Sequence, residues 1–319
     1  MSDNPLVSIC CITYNHAPYI RQCLDGFLMQ KTNFKYEIII HDDCSTDGTT
    51  EIIREYASKY PEIFVPLYED ENQYSKGVRG ITAKFVYPKA RGKYIALCEG
   101  DDYWIDENKL QKQVDFLENN LDYGMCYTRA VTFKQQTNKF ETKFGGVAET
   151  FDSLIDNNVV PTMTVLVRTG LVFEYIKEVE PNKRNWKLGD YPIWLYISLN
   201  HKIKYLPFVT AVYRILTESA SHFINVEDYI KFIDSDNEIR NYFLSRKGLP
   251  PRSIDRARIG FKFFMQKYDR KESKKWLCLI QNKTKKEKIY YFICCWAILF
   301  KIYKYICLTK LHLRRVITV

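Results

Sequence analysis

Leu6-Val7-Ser8-Ile9-Cys10-Cys11-Ile12-Thr13 is an apolar run too short for a helix, closed off by Pro5 on one side and Tyr14-Asn15 on the other. Such a run reads as a strand buried on both faces, the kind that belongs to a parallel sheet. Working outward, residues 19–30 carry a helical pattern, and Tyr36-Glu37-Ile38-Ile39-Ile40 gives a second buried strand. A helix follows from about Asp47 to Tyr60, with Thr46 or Asp47 as its candidate N-cap. A third strand at residues 63–68, a helix between 80 and 90 and a fourth strand at Tyr94-Ile95-Ala96-Leu97-Cys98 continue the alternation. This order predicts right-handed crossovers and an α/β, doubly wound, mainly parallel sheet, whose ligands gather at the carboxyl ends of the strands.

Past the fourth strand the rhythm changes. Leu110, Val114, Leu117 and Leu121 mark a helix, residues 125–133 a strand, and the polar stretch 134–146 a mobile loop. Residues 161–168 read as a strand, 191–199 as a helix and 203–213 as a strand; beyond Asn225 only helical spacing remains, as in Val226, Tyr229, Ile230 and Ile233.

The composition fits a globular chain with a sizeable core. Its 319 residues are 46% hydrophobic, 27% charged and 15% aromatic, which excludes disordered, collagen-like and disulfide-stapled classes. The ten cysteines include no CxxC, so zinc-finger and redox spacings are absent. Buried reduced thiols and an N-terminus without the basic and apolar parts of a signal peptide make a reducing, cytoplasmic setting the expectation. Neither Gly-x-Gly-x-x-Gly after the first strand nor a P-loop occurs, removing the main support for dinucleotide and P-loop readings.

Three strands run into polar clusters: Thr13-Tyr14-Asn15, then Asp42-Asp43-Cys44-Ser45-Thr46-Asp47-Gly48, then Glu99-Gly100-Asp101-Asp102. In a parallel sheet these ends share one edge, so residues far apart in sequence converge on an acidic cleft. Crowded carboxylates repel, and a cation relieves them. Hard ions such as Mg²⁺ and Mn²⁺ are held by one or two carboxylates together with substrate phosphates. An aromatic face beside them can stack a base and a further carboxylate can accept from it. A nucleoside diphosphate suits all three clusters.

Residues 7–15, the DDxSxDG element at 42–48, Gly92-Lys93-Tyr94-Ile95, Asp101-Asp102 followed by Tyr103-Trp104, and the later Gly189-Asp190-Tyr191-Pro192-Ile193-Trp194-Leu195 together resemble family 2 glycosyltransferases of the GT-A fold. The resemblance covers roughly residues 5–222. It implies a glycosyltransferase domain at 1–222, with a nucleotide-sugar half to about 105 and an acceptor half from about 106, and a helical basic extension at 223–319. It implies inverting transfer from a nucleotide sugar, a UDP-sugar, to a hydroxyl of a saccharide or lipid-linked saccharide. Thr13, Tyr14, Asn15, Asp43 and Asp101 fall at donor-binding positions, Tyr14 stacking on uracil, Asp43 contacting the base and Asp101 near the ribose. Asp102 matches the ligand of a divalent metal, Mn²⁺ or Mg²⁺, and Asp190 the general base. Taken alone, Asp190 ahead of a helix would be an N-cap and Thr162 and Thr164 plain strand residues; only the full set makes Asp190 catalytic. Where the family has Tyr-Arg-x-His, this chain has Tyr213-Arg214-Ile215-Leu216, and His222 stands as the substitute metal ligand.

The charge is concentrated in the tail. Residues 269–319 hold 13 Lys/Arg against 3 Asp/Glu, leaving 34 against 35 for the rest. Within this tail, residues 289–300 form 12 consecutive apolar or aromatic residues. As one helix they reach about 18 Å, short of the roughly 30 Å hydrocarbon core. An interfacial helix on an anionic membrane surface is the expectation, with a core helix packed on the body as the alternative. No nucleic-acid module accompanies the charge. A peripheral enzyme on the inner face of the cytoplasmic membrane would follow. The alternative is a membrane-recruited, non-catalytic nucleotide-sugar-binding scaffold, and the sugar, the acceptor and the oligomeric state stay open.

Overall fold

A computed structural model describes residues 4–216 and 225–317, with side chains as far as Leu308. The order is β1 (Val7–Thr13), α1 (Ala17–Leu28), β2 (Tyr36–Asp42), α2 (Thr49–Lys59), β3 (Phe64–Tyr68), β4 (Tyr94–Leu97), β5 (Tyr103–Trp104), α3 (Lys109–Asn119), β6 (Tyr123–Lys134) and β7 (Lys139–Phe144). It continues with α4 (Phe151–Asp156), β8 (Leu166–Arg168), α5 (Thr169–Val179), α6 (Tyr191–Asn200), β9 (Lys202–Ile215), α7 (Val226–Arg246), α8 (Arg256–Gln266), α9 (Arg270–Leu279), α10 (Lys285–Cys295) and α11 (Ala297–Ile317). The described residues fall into two compact units, 4–216 with 242–249, and 225–241 with 250–317.

The first unit is built on one sheet in the order β3-β2-β1-β4-β8-β6-β9-β5, with β7 paired to β6. Strands β3, β2, β1 and β4 are mutually parallel. The apolar side chains of β1, β2 and β4 are buried on both faces, Val7, Ile9, Ile38, Ile40, Tyr94 and Ala96 on one and Cys10, Ile39, Ile95 and Leu97 on the other, as continuous apolar runs require. The edge strand β3 tolerates a proline, Pro66, and β9 carries Pro207 where its register with β6 shifts. Beyond β4 the sheet becomes mixed: β8 is antiparallel to β4 and β6, while β6 and β9 run parallel. Close packing fixes Gly92 before β4, where an added Cβ would lie 2.6 Å from the Ser8 nitrogen. This is the α/β architecture expected from the sequence, parallel in its first half and mixed in its second.

Four local expectations are corrected. The segment 134–146 is no free loop: Lys139–Phe144 forms β7, a hairpin strand whose alternating Lys-Phe-Glu-Thr-Lys-Phe pattern suits an edge half open to water. The strand foreseen at 161–168 begins as a single 3₁₀ turn over Thr162–Thr164, and only Leu166–Arg168 pairs. Helix α2 is capped positionally by Gly48, at φ 98°, while Asp47 supplies the side-chain bond to the Thr49 N–H at 3.1 Å. Finally, residues 289–300 are not one helix: α10 ends at Cys295, α11 starts at Ala297, and the two bend by 117° about Trp296.

Behind the polar edge lies a brace of buried polar groups. The Trp104 indole donates to the Met163 carbonyl at 2.8 Å, and the Lys109 ammonium lies 4.0 Å above that ring while donating to Gln113 Oε1 at 2.8 Å. Gln113 in turn donates to the Thr164 carbonyl, and Gln30 accepts from the Leu110 N–H. Thus α1, α3, the Trp104 strand and the 162–164 turn are held as one piece.

Lys109 is fully buried, and burial pulls its ammonium down to about 7, with the Trp104 face offsetting part of the cost. An unfolded lysine stays protonated to about 10.4. The unfolded state therefore binds more protons between pH 7 and 10, and stability rises with pH in that window. The burial penalty is complete below pH 7 and vanishes above the unfolded value. Lys109→Met should gain on wild type by a few kcal/mol at pH 6.5 and lose that gain by pH 10. Urea midpoints at the two pH values check this; a difference independent of pH would contradict it.

Candidate active site

The register Thr13↔Asp42 aligns the carboxyl ends of β1 and β2, and β4 ends beside them, with the Gly100 N–H donating to the Ile12 carbonyl at 3.0 Å. The loops leaving β1 and β2 are laced together. Asn15, in the left-handed region at φ 54°, accepts the Thr46 N–H at 2.8 Å through Oδ1, and its own N–H donates to Ser45 Oγ. The His16 N–H donates to Thr49 Oγ1, and the Ala17 N–H, at the start of α1, donates to Asp47 Oδ2. Asp42 accepts from Ser45 and Thr50. The DDxSxDG element is therefore first a device for locking two loops, which is why Asp, Ser, Thr and Asn recur in it.

The loop after β4 carries the acidic site. Carboxylate oxygens of Glu99, Asp101 and Asp102 lie within 4.8 Å of one another. Burial drives the Asp102 carboxyl well above the ordinary range, Asp101 adds to the rise, and the Arg214 N–H, 2.7 Å from Oδ1, opposes it. Glu99 is exposed at the rim of the group, and its carboxyl is raised by desolvation and then by the charges of Asp101 and Asp190. Three hard oxygens crowded at this spacing fit a divalent cation with open positions for phosphate and water, and Asp101 Oδ1 is buried without a hydrogen-bond partner among the described residues. Gly100 lets the loop come this close, since a Cβ there would lie 2.6 Å from Thr13 Oγ1 and 3.0 Å from His16 Nδ1. Both of those atoms are buried without a hydrogen-bond partner among the described residues.

Arg214 clamps this loop. Besides the main-chain bond to Asp102, its Nε donates to the Asp101 carbonyl at 2.7 Å and its terminal nitrogens donate to Gln135 and Gln22. The guanidinium plane lies 4.8 Å from the Tyr103 ring and 5.0 Å from Tyr19. A buried cation thus sits behind the carboxylates without pairing with any of them, lending field while leaving their oxygens available.

Asp43, nearly buried, accepts the N–H groups of Gln73 at 2.7 Å and Tyr74 at 3.0 Å, one on each oxygen. It anchors the loop after β3, and each oxygen keeps a lone pair. Tyr14 is 45% exposed, so its ring is open at the same edge.

Asp190 is indeed the N-cap of α6: Oδ1 accepts the Tyr191 N–H at 2.7 Å. Its other oxygen accepts the hydroxyl of Thr162, carried on the 3₁₀ turn braced by Trp104 and Gln113. The cap is no rival to another role, because a carboxylate fixed by two donors still has lone pairs directed elsewhere.

Among the residues singled out from sequence, Thr13 lies against the acidic loop at Gly100, Asp101 and Asp102 form one group with Glu99, Asn15 is tied to the loop after β2, and Asp190 caps α6. Asp43 is engaged with its own loop and does not join the Glu99, Asp101, Asp102 group. His222 lies outside the described residues. Leu216, at the position where histidine was expected, is half-buried at the end of β9. Sequence reasoning missed three participants. Glu99 was visible as an acidic neighbour of Asp101, and Arg214 as part of the Tyr213-Arg214 pair; Thr162 falls on the acceptor-side segment but reads as a plain strand residue.

The family model described as Glycosyl transferase family 2 matches residues 8–175. An uncharacterized protein of Mycobacterium tuberculosis is 36% identical over 218 residues, covering 65% of this chain and 58% of that protein. The chain thus spans little more than half the length of that relative. The Escherichia coli protein WfgD, named UDP-Glc:alpha-D-GlcNAc-diphosphoundecaprenol beta-1,3-glucosyltransferase, is 26% identical over 226 residues, 69% of this chain and 81% of WfgD. Among solved structures, residues 1–349 of S. aureus TarS in complex with UDP-GlcNAc superpose with a TM-score of 0.55 at 18% identity, over 85% of this chain and 78% of TarS. With more than half of its length matched by the family model, the chain belongs to glycosyl transferase family 2.

Proposed function

We propose that the enzyme transfers a sugar, with inversion, from a UDP-sugar to a hydroxyl of a saccharide or lipid-linked saccharide. The observation that carries this reading is the Glu99, Asp101, Asp102 cluster on the loop after β4, together with Asp190, held separately by the Tyr191 N–H and the Thr162 hydroxyl. The names of WfgD and of the TarS complex support a UDP-linked donor, and WfgD supports a lipid-linked acceptor.

In this reading Asp102 and Asp101, with Glu99 beside them, hold a divalent cation, Mn²⁺ or Mg²⁺, which when bound supplies charge neutralisation for a diphosphate. Tyr14 offers its open ring to the uracil, Asp43 a remaining lone pair to the base, and Thr13 its partnerless hydroxyl to the donor; Asn15 keeps the loop in shape. Asp190 accepts the proton of the acceptor hydroxyl as that oxygen bonds to the anomeric carbon. The bond from that carbon to the diphosphate oxygen breaks, and its electron pair leaves with UDP. One displacement from the face opposite the leaving group inverts the centre, and one carboxylate suffices as base. Thr162 and the Tyr191 N–H fix which oxygen of Asp190 faces the acceptor.

Asp102→Asn should lose the part of UDP-induced thermal stabilisation that depends on Mn²⁺, because ligand linkage raises Tm only for species that bind the native state. Equal shifts in variant and wild type would remove Asp102 from the metal site. Asp190→Asn should lower kcat by about 10²- to 10⁴-fold while calorimetry shows UDP binding unchanged. Weakened UDP binding with turnover retained would reverse that assignment. Thr162→Val should lower kcat by about 10- to 100-fold with little change in donor KM, as expected for a displaced base. Thr162→Ser, which keeps the hydroxyl, should restore most of the rate, and a serine variant as slow as the valine one would reduce Thr162 to packing.

A further inference from the structure

The sequence tail that the transfer chemistry leaves unused has a distinctive surface. Cys294 and Phe300 turn inward to pack with Phe261, Met265 and Leu277. Ile289, Phe292 and Trp296, spaced three and four apart along the end of α10, are 60%, 58% and 60% exposed; Ile298 and Ile302, one turn apart on α11, are 73% and 50% exposed. Five large apolar side chains therefore meet solvent on either side of a single bend. Such a concentration is more than scattered surface hydrophobicity and signals a partner.

The surrounding charge says which partner. Lys285, Lys286, Lys288, Lys301 and Lys304 are exposed around these residues. The one carboxylate in residues 285–308, Glu287, is used internally: it accepts Arg258 at 2.8 Å and closes the capping box with Thr284. Pairing this face with a second copy would set two lysine clusters against each other, so self-association is disfavoured. An acidic lipid surface satisfies both features at once, headgroups taking the lysines and the acyl boundary taking the tryptophan and aliphatic side chains. Crossing the bilayer does not suit it. No single described helix is long and apolar enough to cross a membrane; α10 and α11 to Leu308 reach that length and composition only together, but they are bent by 117°, α10 reaches only about 16 Å before the bend, and Lys301 and Lys304 interrupt the start of α11.

We propose that α10 and α11 form a bent, interfacial docking surface for anionic phospholipid, with Trp296 at its apex. It involves no residue of the transfer site, so either reading can fail without the other.

The test uses the full chain with vesicles of phosphatidylglycerol and phosphatidylcholine, compared with phosphatidylcholine alone, in a flotation assay. Binding to the anionic vesicles should be at least about tenfold tighter and should fall with added salt. The emission of Trp296, read as wild type minus Trp296→Phe, should shift to shorter wavelength on binding and be quenched by lipid brominated near the headgroup end of the chain. Replacing Lys285, Lys286 and Lys288 by Gln should weaken binding about a hundredfold. Ile298→Asp should also weaken it, with circular dichroism reporting whether that variant folds; the lysine variant serves if it does not. Equal binding to both vesicle types, no spectral shift, association resistant to high salt and carbonate as for a spanning segment, or a dimer that buries Trp296 without lipid would each overturn the proposal.

Discussion

Mutual repulsion among carboxylates is the constraint from which the rest of the site follows. Glu99, Asp101 and Asp102 cannot all be ionised within 4.8 Å of one another without compensation, and burial makes this worse for Asp102. The fold compensates only in part. Arg214 contributes a main-chain N–H to Asp102 and a guanidinium bonded to the Asp101 carbonyl rather than to a carboxylate. The loop is thus rigid and still short of positive charge, the state in which a cation with a phosphate ligand binds best. Rigid donors aimed at an incompletely neutralised cluster are a form of preorganisation.

Much of the supporting structure serves to keep this cluster and Asp190 in a fixed relation. The buried Trp104, Lys109 and Gln113 brace joins the strand just after the acidic loop to the 3₁₀ turn that carries Thr162, and Thr162 donates to Asp190. A charged lysine beneath a core tryptophan is costly, and packing alone could have been met by an apolar side chain. Its retention at this point fits a role in specifying the geometry between two halves of a site, at some expense of stability.

How far the sequence foretold this depends on the range over which each signal acts. The strands β1, β2 and β4 were legible because a strand buried on both faces must be apolar throughout, a purely local property. The acidic loop was legible because Glu99-Gly100-Asp101-Asp102 directly follows such a strand. The hairpin strand β7 was not, since its Lys and Glu residues alternate with Phe on an exposed edge and resemble a loop by composition. The break at Trp296 was hidden because residues on both sides of it are equally apolar, so hydrophobicity carries no mark of the bend. Arg214 and Asp102 are 112 residues apart, Thr162 and Asp190 28 apart, and no spacing rule links them. The bond from the Thr46 N–H to the Asn15 side-chain carbonyl, across 31 residues, was likewise invisible in the sequence.

The most direct measurement is an anomalous difference map from crystals of the chain grown with UDP and Mn²⁺. A single manganese peak within coordination distance of Asp102, contacted also by the diphosphate oxygens and lying on the Asp190 side of the loop after β4, is the predicted result. Diphosphate bound elsewhere, or manganese absent from the Glu99, Asp101, Asp102 cluster while UDP occupies the strand ends, would contradict it.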